Sequence, residues 1–98
     1  MDRMIELHPD IAFEYLDDGG VLICQLERGD YWQLSAPSGQ IWSWIWELRN
    51  FDAVVDVMAT ELTVRREEAL ATLAGLCLEL REREVVVDFR PSLDSAAT

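Results

Sequence analysis

The chain has 98 residues, enough for one domain that buries about two-thirds of the surface its unfolded form exposes. Half of the residues are apolar, which excludes disorder, yet no apolar run approaches the ~20 residues that span a bilayer, so no membrane segment is expected. Nineteen acidic against eight basic residues give a formal net charge of −11, which repels a phosphate backbone and argues against nucleic acid as a partner.

The start, "MDRMIELHPD", places acidic residues where a signal peptide needs an apolar core, so the expected location is cytoplasmic. "IAFEYL" and "VLICQLE" flank "DDGG", whose Asp and Gly residues tolerate positive φ, and the pair reads as a β-hairpin. In the second strand Val21, Ile23 and Gln25 share one face and Leu22, Cys24 and Leu26 the other; the wholly apolar second set predicts the buried face. Arg28-Gly29-Asp30 turns the chain into "YWQL", completing a three-stranded antiparallel meander whose last strand is an edge.

Ser35 is placed to cap a helix from about Ala36 to Arg49, Pro37 suits its first turn, and Ile41, Trp44, Ile45 and Leu48 recur at helical spacing. On this spacing Trp44 belongs to the core, while Trp42 and Trp46 are partly exposed. Asn50 offers a stop and Asp52 a start for a second helix containing Phe51, Val54, Val55, Met58 and Leu62. Thr63 precedes a third helix, "VRREEALATLAGLCLELRERE", followed by an extended "VVVDF" that could form a short wing. The expectation is one α+β domain over 1–98 with its core at about 12–87 and a mobile tail at 90–98.

Catalytic chemistry finds no support. His8 is the only histidine and lies beside Pro9 in a segment expected to be loose, with no Ser or Cys ordered beside it as a nucleophile. The pairs Asp17–Asp18 and Glu67–Glu68 suit a turn and a helix N-terminus. The glycines match no phosphate-binding spacing. Cys24 and Cys77 fit neither a redox pair nor a zinc site, so no metal or cofactor is expected. A binding module remains.

The apolar residues of the third helix cover an arc of roughly 220°, whereas a surface helix needs little more than 100° to face its core. Ala69, Leu73, Leu76 and Leu80 form the denser flank and suit the core. Leu70, Ala71, Ala74 and Leu78, crossed by Glu67 and Arg81, form a shallower one. Either the first two helices cover both flanks, or the second flank is a groove.

In the order β-β-β-α-α-α, the stretch "GGVLICQLERGDYWQLSAPSGQIWSWI" resembles the PqqD-like family, also called RiPP recognition elements. In that pattern a strand ending in Leu meets a polar cap, a Gly and an Ile-Trp pair opening the helix; here these are Leu34, Ser35, Gly39, Ile41 and Trp42. The likeness covers roughly Ala12 to Val87. Two positions depart from the pattern: the cap is often Asn, and the Gly usual before the last apolar run is Glu84.

The "GDY" turn and the Ile-Trp pair most resemble the discrete leader-binding proteins of lasso peptide biosynthesis. That resemblance implies a winged helix-turn-helix-like fold and no enzymatic activity. It implies binding of a precursor's leader as an added strand between the third strand and third helix, and presentation to a separate, transglutaminase-like leader peptidase. Asp30, Tyr31, Trp32, Gln33 and Leu34 would then supply the strand, and Leu70, Ala71, Ala74 and Leu78 the groove floor, with Glu67 and Arg81 at its margin. Two alternatives share the fold: a PqqD-type peptide chaperone for a radical-SAM maturase, and a winged-helix DNA-binding protein, which the charge opposes.

Overall fold

A computed structural model describes residues 4–90 of the chain. A meander is built from β2 (Ile11–Tyr15), β3 (Val21–Gln25) and β4 (Asp30–Leu34), antiparallel in the order β2-β3-β4. It is preceded by β1 (Ile5–Leu7) and followed by α1 (Ala36–Leu48), α2 (Phe51–Glu61), α3 (Arg66–Glu82) and β5 (Val86–Phe89). The α+β class, the meander and the three helices are as the sequence predicts.

The segment around His8 is not loose. β1 pairs antiparallel with β5, Ile5 is buried, and the Ile5 and His8 N–H groups donate to the Arg49 and Val85 carbonyls, each at 2.9 Å. Three residues are too few for an alternation to register in sequence, and the partner strand lies at the other end of the chain. The core accordingly includes Ile5 and Phe89. The expected mobile tail lies, beyond residue 90, outside the described residues.

The buried face of β3 is the opposite of the one expected. Val21, Ile23 and Gln25 are buried, Leu22 and Cys24 are half-buried, and Leu26 is 58% exposed. Gln25 misleads the hydropathy pattern because its amide is satisfied inside the protein: Nε2 donates to the Glu84 carbonyl and Oε1 accepts from the Arg28 N–H, both at 3.1 Å. A buried amide bonded at both ends costs little compared with an orphaned one.

α1 begins where Ser35 predicts, but the Ser35 side chain makes no capping bond. Pro37, at the second helical position, has no N–H to be capped, and the first turn closes through the Gly39 N–H on the Ser35 carbonyl at 2.7 Å. The tryptophans are placed differently from expectation. Trp42 is fully buried against Phe13, with ring centroids 5.4 Å apart, whereas Trp44 is half-buried and Trp46 is 37% exposed. The helix ends with Arg49 in the left-handed region at φ 53°. Asn50 starts α2, its Oδ1 accepting the Ala53 N–H at 2.9 Å, and is not the stop the sequence suggests. Thr63 at φ 56° precedes α3, whose N-cap is Arg65.

Ala69, Leu73, Leu76 and Leu80 of α3 are buried, as their spacing predicts, and Cys77 joins them. Burial pushes the Cys77 thiol up to about 12, against a smaller lowering by Arg81. Since the thiolate is the reactive form, one thiol per folded chain, the half-buried Cys24, is expected to react with a maleimide at pH 8. Mass spectrometry should find Cys77 labelled only after unfolding.

Glu84 has φ 62°, the left-handed conformation that the family pattern fills with Gly. Its carboxylate approaches Arg28 only to 3.8 Å in an exposed pair, which is a weak interaction. Glu84→Gly is therefore expected to stabilise the domain by about 1 kcal/mol, read as a rise in Tm, because only the Cβ-bearing residue is strained there.

Candidate functional site

β4 lies at one edge of the sheet, and the hydrogen bonds fix which of its residues face outward. In an antiparallel strand alternate residues aim N–H and C=O at opposite sides. Leu16 N–H donates to the Gly20 carbonyl and Leu26 N–H to the Asp10 carbonyl, at 2.9 and 2.8 Å, so the even-numbered residues of β3 bond to β2. Val21, Ile23 and Gln25 therefore bond to their register partners Leu34, Trp32 and Asp30. Tyr31 and Gln33 are left with backbone groups directed at the open edge, where no described strand pairs with them.

The side chains alternate in the same way. Trp32 and Leu34 lie on the inner face, half-buried and packed against the core, while Tyr31 is 69% exposed and Gln33 exposed on the outer face. Asp30 opens the strand, its Oδ2 3.2 Å from Arg28 Nη2.

Two arginines distinguish the flanks of α3. The Arg83 guanidinium lies 5.0 Å from the centroid of the Trp32 ring, on β4. The Arg81 guanidinium lies 5.1 Å from that of Phe89, on β5. Residues four and seven apart share a helix face. Thr72, Leu76 and Glu79 therefore align with Arg83, and Glu79 Oε2 is 3.8 Å from Arg83 Nε. Leu70, Ala74 and Arg81 align with one another on the flank turned to β5.

The residues expected to line the groove fall on the flank that carries Arg81, and not on the one that aligns with Arg83. Leu70 and Ala74 are half-buried against the core, and Glu67, Ala71 and Leu78 are exposed farther round the helix. Arg81 borders a cavity of about 240 Å³ shared with His8, Glu84, Val86 and Val87. An apolar arc records how much of a helix is covered, but not which strand covers it. The contact of Arg83 with Trp32 was missed in the sequence, since nothing in its spacing marks a contact with a residue of β4.

The junction of sheet and α1 is tight. A Cβ at Gly39 would stand 2.6 Å from the Gly19 carbonyl oxygen and 3.0 Å from Gly20, and one at Gly20 would collide with the Leu34 carbonyl. The Gly of the sequence pattern is therefore explained by the approach of α1 to the β2–β3 turn, immediately beside the end of β4.

The family model of the coenzyme PQQ synthesis protein D (PqqD) matches residues 20–86. The chain belongs to the PqqD family. Two solved structures share the family fold. TbiB1 in complex with the TbiA(beta) leader peptide is 23% identical, with a TM-score of 0.80, over 88% of this chain and 99% of that one. Lasso peptide synthetase B1 complexed with the leader peptide is 24% identical, with a TM-score of 0.73, over 85% and 96%. No curated protein matches by sequence.

Among the described residues no cluster of His, Cys, Asp and Glu could hold a metal ion, and no helix is long and apolar enough to cross a membrane. His8 accepts the Asp10 N–H at Nδ1 and places Nε2 3.2 Å from Glu27, an arrangement that ties down the β1–β2 link. The chemistry offered at the β4 edge is recognition: directed main-chain donors and acceptors beside a half-buried indole.

Proposed function

We propose that this chain binds the leader of a ribosomally made precursor, most simply a lasso peptide precursor, and presents it to a separate leader peptidase while catalysing no step itself. The open edge of β4 carries the reading: Tyr31 and Gln33 supply main-chain bonds, and Trp32 and Leu34 form the inner surface that selects side chains. Across from them we place Thr72 and Leu76 of α3 and Arg83 at its C-cap, in place of the flank that includes Leu70, Ala74 and Arg81. Family membership and the two neighbours solved with leader peptides support the assignment. The net charge of −11 opposes the DNA-binding alternative.

The test is fluorescence anisotropy with a labelled leader from the precursor encoded beside this chain. Saturable binding that survives truncation of the precursor's core region is expected. Absence of binding, or cleavage of the precursor by this chain alone, would overturn the proposal.

A further inference from the structure

The sheet has a second open edge. By the same hydrogen-bond phase, the even-numbered residues of β2 face β3, so Ile11, Phe13 and Tyr15 direct their backbone groups outward, where no described strand pairs with them. This edge too is backed by aromatic rings. Phe13 packs edge-on against Tyr15 at 5.4 Å and against Trp46 at 4.7 Å, and the Arg49 guanidinium lies 4.5 Å from the centroid of Trp46. Tyr15 is 51% exposed and Trp46 is partly exposed. Tyr15 also borders a cavity of about 360 Å³, lined by Gly19, Ala36, Gly39, Gln40 and Ser43.

Trp, Tyr and Arg beside a concavity are what the energetic centre of a protein interface is made of. A strand edge next to them accepts an extended segment. The surrounding charge selects the occupant. Asp17 follows Tyr15 closely in sequence and Glu47 lies near enough to Tyr15 to add to the effect of burial in raising its pKa, while Arg49, held on the Trp46 ring, offsets only one of these charges. A second copy of this chain would bring another −11 to an edge already acidic. A basic segment would find complementary charge, with an aromatic or aliphatic side chain for the cavity.

Resting on the leader-binding reading, we propose that the β2 edge, with Tyr15 and Trp46 as anchors, docks an extended basic segment of the leader-removing enzyme. Leader and enzyme would then occupy opposite edges of one sheet, so that both can be held at once.

The experiment uses the full chain with the precursor and the purified peptidase from its own gene neighbourhood. Tyr15→Arg/Trp46→Arg is compared with the parent for leader affinity, capture of the peptidase, and rate of leader removal. Leader affinity is expected to stay within twofold, while capture and removal fall at least tenfold. If the double variant does not fold, Tyr15→Arg alone is read, with a loss of at least threefold expected. Unchanged capture by a folded variant overturns the proposal, as does a folded variant that loses leader affinity as well. A parent dimer that the substitutions dissociate also overturns it. If the parent itself fails to bind the leader, the functional reading fails first, before any substitution is made.

Discussion

Gln33→Pro is expected to leave the domain folded and to weaken leader binding by more than tenfold, which is about 1.4 kcal/mol. Its N–H points to the open edge of β4, so proline there removes a donor to the ligand and none to β3. Tyr31→Pro should behave alike, because it shares the outward phase. Trp32→Pro should not: its N–H belongs to the ladder with Ile23, and its loss cuts the sheet beneath the inner face. Thermal denaturation and anisotropy on the three variants decide the matter. If Trp32→Pro stays folded and binds while Gln33→Pro unfolds, the outward and inward residues of β4 are the reverse of this assignment; if both outward variants bind normally, the leader does not pair with β4.

Gly39→Ala should lower Tm on the order of 10 °C. In an unconstrained helix the same change would gain up to about 1 kcal/mol. Here the added Cβ meets the backbone of the β2–β3 turn, at 2.6 Å from the Gly19 oxygen and 3.0 Å from Gly20, and backbone cannot rotate away as a side chain could. Overpacking of this kind typically costs about 1–3 kcal/mol, and each kilocalorie moves a domain of this size by roughly 4–8 °C. Calorimetry of the variant checks it; an unchanged or raised Tm would mean that α1 can back away from the turn.

What the sequence disclosed follows from local chemistry. Asp17-Asp18-Gly19-Gly20, Arg28-Gly29-Asp30 and Pro37 mark turns and a helix start through their own backbone preferences, so the order of the meander and the three helices was readable. The core flank of α3 was readable because its apolar positions repeat every three or four residues. Contacts between distant segments were not. β1 depends on β5; the inner face of β3 depends on a glutamine satisfied by the turn before β5; and the side of α3 facing β4 depends on where the chain leaves the helix, a matter decided at Arg83 and Glu84. The edge residues of the proposed site were therefore legible as a strand, and the opposing wall was not.

The Gln25 amide fastens the β3–β4 turn to the turn between α3 and β5. The first turn leads into β4 and the second leaves α3, so one buried side chain acts as a rivet between the two elements on which the proposed site is built. On the proposed reading the spacing at the rivet is set before a peptide arrives, and the receptor surrenders little freedom on binding it. The entropic cost of association then falls on the peptide, whose own stiffness sets the affinity. A leader held extended by proline should gain over a glycine-rich one with the same anchoring side chains, and loosening the rivet with Gln25→Ala should erode that advantage.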